Sequence, residues 1–370
     1  MVQGRVKTEE TFCALPLSDF YSLDRFKGKK DLDGCDPSIF IICNNRSAGK
    51  TTAVTKMFYE RVLDSEKEEK FCLIYRHKYE LEGAHHALDE AVRIVSEERN
   101  LKYPALSTKK CVQGLFVEIL QDADVIGYGV CLTKVDYLRK YSQTFSKVVH
   151  AFFDEFQLET GEYLKNEVSL LQSLLISISR GGGERSRDVK LYMAGNPVSM
   201  LNPYYVHFGI YKRLKKDTKF MRGNGWIGDF EKNIEAAQEI TSNNIFKSFK
   251  KSNYLSYATG DTMLINDGAL VGKPTGKSRY ICTIIFDGKS FGLYEYYNDG
   301  IVYLSTKFDK TSKNIVAYKA ADASQNTMML GRNHGAMKLL RWAYECGCLI
   351  FEDLTCQECA FTLLAVSLYK

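Results

Sequence analysis

Residues 38–52 read SIFIICNNRSAGKTT: an apolar run, a polar loop, then Gly49-Lys50-Thr51. That spacing can hold phosphate. Backbone N–H groups of such a loop and the N-terminus of the helix after it surround phosphate oxygens. Lys50 would reach the β- and γ-phosphates of ATP, and Thr51 would hold Mg2+ through its hydroxyl. Asn44, Asn45, Arg46, Ser47, Ala48, Gly49 and Thr52 complete the nucleotide-binding loop. Asn44 stands where the pattern's first glycine belongs. Asparagine tolerates the left-handed backbone better than most residues, so Asn44 is expected to substitute by adopting it. A chance Gly-Lys-Thr at a helix start is the plain alternative. A strand signal before the loop and a helical one after it favour the cradle.

A second candidate is VVHAFFDEF (148–156). Adjacent acids at the end of a buried strand are costly unless a cation meets them. Asp154 fits a ligand of the Mg2+ shell, and Glu155 fits the carboxylate that polarises an attacking water. A third strand, KLYMAGNP, ends in Asn196, either a sensor of the γ-phosphate or a turn former before Pro197. The strand FCLIYRHK places Arg76 and Lys78 at its end, where either could pair with Glu155 when nucleotide is absent. Arg180 closes the apolar helix NEVSLLQSLLISIS. A cation is electrostatically welcome at a helix C-terminus. The helix also runs away from its own Asp154 and Glu155, so Arg180 is expected to act as an arginine finger in trans, with Arg185 and Arg187 as competitors on the same loop.

The elements that must position these groups alternate strand and helix over the first third of the chain. KTTAVTKMFYERVLDSEKEEK and YELEGAHHALDEAVRIVSEER read as helices, and KFCLIYR as a buried strand between them. This order points to a parallel α/β sheet. GLFVEILQDADVIGYGVCL reads as a hairpin turning near Asp122–Asp124. Residues 229–252 read as a helical connector. From about Tyr280 the text is β-rich, with FDGKS and YNDG as turns. The final stretch reads helix, strand, helix.

The chain has 370 residues, enough for two domains, and 45% hydrophobic and 26% charged residues, an ordinary globular composition. No stretch approaches the ~18 consecutive apolar residues of a membrane span, and the N-terminus shows no apolar signal region. A reducing cytoplasm is the expectation. Most of the eleven cysteines sit singly in apolar runs, where thiols act as small hydrophobes. Cys346, Cys348, Cys356 and Cys359 cluster, but a C-x-C pair is too tight for the common zinc knuckle, so buried thiols are favoured there too. The net charge of +5 permits a nucleic-acid partner. Basic clusters lie at 27–30, 211–219 and 246–252. Each alone reads as a solvated face; Lys212, Arg213, Lys215 and Lys216 are the candidate DNA contacts.

With these motifs in this order the chain resembles the DNA-packaging ATPases of φ29-like phages, within the terminase-like, additional-strand P-loop motors. The resemblance covers most of the chain and rests on RSAGKT, YRHKYEL, FFDEF, NEVSLL, NPVSMLNPYY and DKTSKNIVAYKAADASQNTMML. Arg46 matches that group's loop, and the arginine at the place of Arg180 is the one expected to act in trans. The resemblance implies an α/β additional-strand P-loop ATPase domain over 1–217, a basic helical linker over 218–265, and a smaller α+β domain over 266–370 resembling a degenerate RNase H-like nuclease. The opening strand YICTIIF lacks the acid an active two-metal nuclease needs, and Glu352 and Asp353 alone cannot replace it. That domain is expected to bind nucleic acid or a partner. The implied activity is ATP hydrolysis driving double-stranded DNA into an empty capsid. The motor would be a homo-oligomeric ring, a pentamer, in the host cytoplasm, transiently docked on the portal vertex. In φ29 itself a structural RNA lies between portal and ATPase; whether this chain uses one stays open. The alternative is a P-loop ATPase of another nucleic-acid motor class, of helicase or DNA-transfer type.

Overall fold

The structure is a computed structural model and describes residues 21–180, 186–214, 218–249, 252–264 and 271–369. Strands that are apolar along their whole length must be covered on both faces. β1 (Ile39–Cys43), β2 (Lys70–Tyr75), β6 (Val148–Phe153) and β7 (Lys190–Gly195) obey this, with nearly every residue buried. They lie in a nine-stranded sheet with β3 (Leu106–Cys111), β4 (Phe116–Gln121), β5 (Asp124–Cys131), β8 (Phe220–Gly223) and β9 (Trp226–Asp229), in the order β3-β4-β5-β2-β6-β7-β1-β9-β8. The centre from β5 to β9 is parallel; β4 joins it by antiparallel pairing with β5, and the edges β3 and β8 pair antiparallel with β4 and β9. The C-terminal ends of β2, β6, β7 and β1 therefore open on one edge, where ligands of open α/β sheets bind.

Helix α1 (Lys50–Asp64) buries Val54, Phe58 and Val62 at four-residue spacing, one stripe of a helix. With α2 (Asp89–Arg99) it covers the face carrying Phe40, Ile42 and Phe152. The short α3 (Val135–Leu138), then α4 (Glu167–Ser179) and α5 (Pro203–His207), cover the other face. The start of α5 is fixed by Pro203 in its first turn and by Asn202, whose side chain accepts from the amides of Tyr204 and Tyr205. Three helices follow: α6 (Ile234–Ser242), α7 (Asn244–Lys247) and α8 (Asn253–Ala258).

A second, six-stranded sheet is built from β10 (Arg279–Phe286), β11 (Lys289–Tyr296), β12 (Ile301–Ser305), β13 (Ile315–Ala317), β14 (Met328–Met329) and β15 (Leu349–Phe351). Asp287 and Gly288 between β10 and β11 both take positive φ, +49° and +72°, the tight turn that Asp-Gly favours. Helices α9 (Gly335–Glu345) and α10 (Leu354–Tyr369) complete this part. Leu340, Leu364 and Phe361 share one continuous apolar core with Phe156, Tyr204 and Tyr205 of the first sheet's α4–α5 face.

Four sequence expectations change. The helix expected over 79–99 becomes two single 3-10 turns, Lys78–Leu81 and Ala84–Leu88, before α2 begins. Gly83, left-handed at φ +72°, separates the turns. The hairpin 116–131 gains a third strand, β3, whose polar text LSTKKC suits an exposed edge. The segment 218–265 is not all helical: β8 and β9 add to the first sheet, with β9 parallel to β1. Of the C-terminal cysteines, Cys356 and Cys359 are buried, whereas Cys346 is exposed and Cys348 half-buried. Among the described residues no three His, Cys, Asp or Glu side chains converge as a metal-holding group, and no helix is long and apolar enough to cross a membrane.

Candidate active site: a phosphate cradle at the strand ends

The loop after β1 folds back over the start of α1. Its left-handed residues are Ser47 (φ +59°) and Gly49 (φ +76°). Asn44 is not left-handed, which corrects the reason given for it above. Asn44 is buried at the strand end, and its carbonyl, with that of Asn45, accepts from the Lys50 ammonium at 3.1 and 2.8 Å. The third acceptor is Asn196 Oδ1 at 3.0 Å, which joins the end of β7 to the loop. Lys50 is 8% exposed, and burial pulls its pKa down to about 8.

Thr51 donates its hydroxyl to Asp154 Oδ2 at 2.6 Å. Burial pushes the Asp154 carboxyl above its ordinary range, the behaviour of an acid that needs a cation. Glu155, the next residue, is exposed and left-handed at φ +49°, a conformation that costs a non-glycine residue about 1 kcal/mol. Arg46–Thr52, Asp154, Glu155, Gly195 and Asn196 line one concavity of about 320 Å3. The residues fit a magnesium nucleotide. Two hard oxygen donors, Thr51 and Asp154, already stand together, and three chain oxygens on Lys50 occupy directions that phosphate oxygens would take.

Arg46 and Asn45 do more than line the loop. The Arg46 guanidinium pairs with Glu159, lies 5.6 and 5.9 Å from the Tyr254 and Tyr257 rings, and its amide donates to Ala258 at 3.1 Å. Tyr257 also donates to Glu159 at 2.9 Å. Asn45 exchanges two hydrogen bonds with the Asn233 backbone, at 3.1 and 2.7 Å. Both ends of the α6–α8 connector are thereby tied to the loop. Sequence reasoning missed Glu159, Tyr254 and Tyr257; a lone acid and two tyrosines carry no spacing signal.

Neither basic residue after β2 meets the Glu155 carboxylate, and that expectation is corrected. Arg76 is buried against the Glu167 carboxylate at 3.0 Å and donates to the main-chain oxygens of Glu155 and Phe156. Lys78 donates to the Gln113 carbonyl at 2.8 Å. Arg187, a competitor of Arg180, is committed elsewhere: its guanidinium serves the carbonyls of Val148, Phe145 and Ile178 at 3.0, 2.9 and 2.7 Å. Arg180 follows α4 as an exposed, extended residue. Because α4 starts beside Arg76 at the active edge and runs for about 20 Å, it carries Arg180 to the opposite edge. Arg185, Lys215 and Lys216 lie outside the described residues. Lys212 is exposed, 3.7 Å from Glu358, and Arg213 is exposed, stacked 5.5 Å from the Trp226 ring.

Comparison with known proteins places the whole chain. The family model described as "Podovirus DNA encapsidation protein (Gp16)" matches residues 26–367. The DNA packaging protein of Bacillus phage phi29 is 22% identical over 246 residues, covering 65% of this chain and 72% of that protein. That of Bacillus phage B103 is 22% identical over 309 residues, covering 82% and 89%. Among solved structures, a chain of the bacteriophage Phi-29 viral genome packaging motor assembly superposes with a TM-score of 0.52 at 19% identity, over 95% of this chain and 99% of that one. A chain of the Phi-28 gp11 DNA packaging motor gives 0.55 at 16% identity, over 94% and 98%. The two structures share the fold over nearly the whole length, and the family match spans both sheets. The chain belongs to the podovirus DNA encapsidation protein (Gp16) family.

Proposed function

We propose that this protein is the ATP-hydrolysing motor that moves double-stranded viral DNA into an empty capsid through the portal vertex. The observation that carries the reading is the convergence of Lys50, Thr51, Asp154 and Asn196 at one edge of a parallel sheet, in a chain of an encapsidation family. In this reading the loop 44–52 is a P-loop. Lys50 leaves its three chain oxygens for the β- and γ-phosphates, and its charge offsets the charge that develops during transfer. Thr51 and Asp154 hold Mg2+, which when bound neutralises phosphate charge. Glu155 orients the attacking water and accepts its proton. Asn196 reads the γ-phosphate through Lys50. Arg180 serves the nucleotide of the next subunit in a homo-oligomeric ring.

The chain divides, on this proposal, into an ATPase unit, the α6–α8 connector and a degenerate RNase H-like unit. A buried polar chain supports coupling between the sheets. Gln157, just past Glu155, accepts from the amides of Val198 and Ser199 at 3.2 and 3.1 Å. The Ser199 hydroxyl lies 3.1 Å from the Tyr344 hydroxyl of α9. Nuclease activity is not part of the proposal. One oxygen of Glu352, Oε2, accepts from the Ser305 and Thr306 hydroxyls, both at 2.7 Å, and from the Thr306 amide at 2.8 Å, so that oxygen serves the end of β12. DNA contact is assigned to the exposed basic segment with Lys212 and Arg213. The helicase or DNA-transfer alternative shares the same phosphate site and has no further observation in its favour.

The test is hydrolysis by the purified protein with and without duplex DNA and empty capsids of its own phage. Turnover should rise when both are present, and no strand separation should accompany it. Unwinding of a tailed duplex, with no response to capsids, would transfer the protein to the alternative class.

A further inference from the structure

Arg76 sits at the end of β2 with 4% of its surface exposed, and its guanidinium makes contacts on three sides. Nη1 donates to the Glu155 carbonyl at 2.7 Å and Nη2 to the Phe156 carbonyl at 2.6 Å. Nε meets both Glu167 oxygens, at 3.1 and 3.2 Å. Its central carbon lies 4.8 Å from the centre of the Phe153 ring and 5.6 Å from that of Tyr163. Glu167 is equally occupied: the Tyr204 hydroxyl donates to it at 2.7 Å and the Leu164 amide at 2.9 Å. Neither charge depends on solvent, so the geometry is rigid.

What this rigidity holds is the turn containing Glu155. That residue is left-handed at φ +49° without being glycine, and such a conformation persists only where the surroundings over-determine it. Its amide is fixed by Asp154 Oδ1 at 3.0 Å, and its carbonyl by Arg76. Glu167 is also the first residue of α4, the helix that ends at Ser179 before Arg180.

We infer that Arg76, Glu167 and Tyr204 form a positioning unit that aims the Glu155 carboxylate through its main chain and fixes the origin of the helix leading to Arg180. One buried ion pair thereby sets both the group that orients water in its own subunit and the arm that reaches toward the next. The inference rests on the reading of Glu155 as the water-orienting carboxylate. A lysine cannot replace Arg76, because one ammonium cannot span two carbonyls and a carboxylate in a plane.

The test uses the full chain and two variants. Arg76→Lys keeps a charge opposite Glu167. The double variant Arg76→Met/Glu167→Met leaves no unpaired charge, but it takes partners from the Tyr204 hydroxyl, the Leu164 amide and the Glu155 and Phe156 carbonyls, so its melting temperature should fall and its kcat is compared below that temperature. Each should lower kcat by about 10²-fold, the cost of a misplacement of an ångström or so. Affinity for a fluorescent ATP analogue with Mg2+ should stay within about twofold, because binding and chemistry separate when only the transition state is affected. Wild-type kcat in either folded variant overturns the inference, and so does a loss confined to KM. If the double variant does not fold, Arg76→Lys decides alone. The underlying reading has its own control: Glu155→Gln turning over ATP like wild type removes Glu155 from the chemistry, whatever the Arg76 variants do.

Discussion

The Lys50 ammonium, nearly enclosed, is held by oxygens of Asn44, Asn45 and Asn196, and among the described residues no carboxylate forms a salt bridge with it. A cation so placed is poised to exchange chain oxygens for phosphate oxygens. Lys50→Ala should therefore lower ATP turnover by orders of magnitude while the melting temperature changes little, and wild-type turnover in this variant would remove the phosphate-cradle reading. The neighbouring acids separate by role. Glu155→Gln should bind ATP with normal affinity and hydrolyse it very slowly. Asp154→Asn, which keeps an acceptor for Thr51 but loses the negative charge, should instead raise the Mg2+ concentration needed for half-maximal turnover. A Mg2+ titration of both variants distinguishes them, and identical titration curves would cancel the division of labour.

At the scale of the element, β6 is buried along nearly its whole length and delivers the two acids that follow it to the sheet edge. His150 is part of that burial. It is 9% exposed, stacks 5.4 Å from the Phe58 ring of α1, and its Nδ1 has no hydrogen-bond partner among the described residues. Burial, with Arg61 and Lys190 nearby, lowers its pKa to about 4. An unfolded imidazole titrates near 6.5. Between those values the unfolded chain binds the extra proton, so stability is lost as pH falls from about 6.5 to about 4, by at most about 3 kcal/mol. His150→Phe, which can stack in the same place, should flatten the fall of melting temperature across this window. An unchanged slope would mean that other groups govern acid unfolding.

At the scale of the whole molecule, the direction of α4 decides where Arg180 can act. The helix crosses from the edge with Lys50 to the opposite edge, so on the proposed reading Arg180 serves a neighbouring subunit. Arg180→Ala subunits and Lys50→Ala subunits should each be inactive alone. If the proposed ring forms, mixed assemblies would contain interfaces with an intact loop on one side and an intact arginine on the other, and these should recover measurable hydrolysis, since a finger is worth ~10³–10⁵ in kcat. Mixtures shown to co-assemble but still inactive would place Arg180 outside the chemistry.

The sequence by itself determined the strand–loop–helix around Lys50, the acids at the end of β6, the polar end of β7 and the β-hairpins of the second sheet. These are local: apolar runs, turn residues and loop spacing act over a few positions. It could not determine the role of Asn44, because φ depends on how the loop folds over α1, and Ser47 took the left-handed place instead. Polar β3 and the four-residue strands β8 and β9 were also illegible, since strands so polar or so short exist through their neighbours and not through their own pattern. The partner of Arg76 was the largest change. Sequence placed two basic residues and an acid at adjacent strand ends, which made a side-chain pair with Glu155 reasonable. Only the tertiary structure brought Glu167, 91 positions away, beneath the same guanidinium. A buried charge takes the partner that desolvates with it, and Glu155, exposed in the concavity, is not that partner.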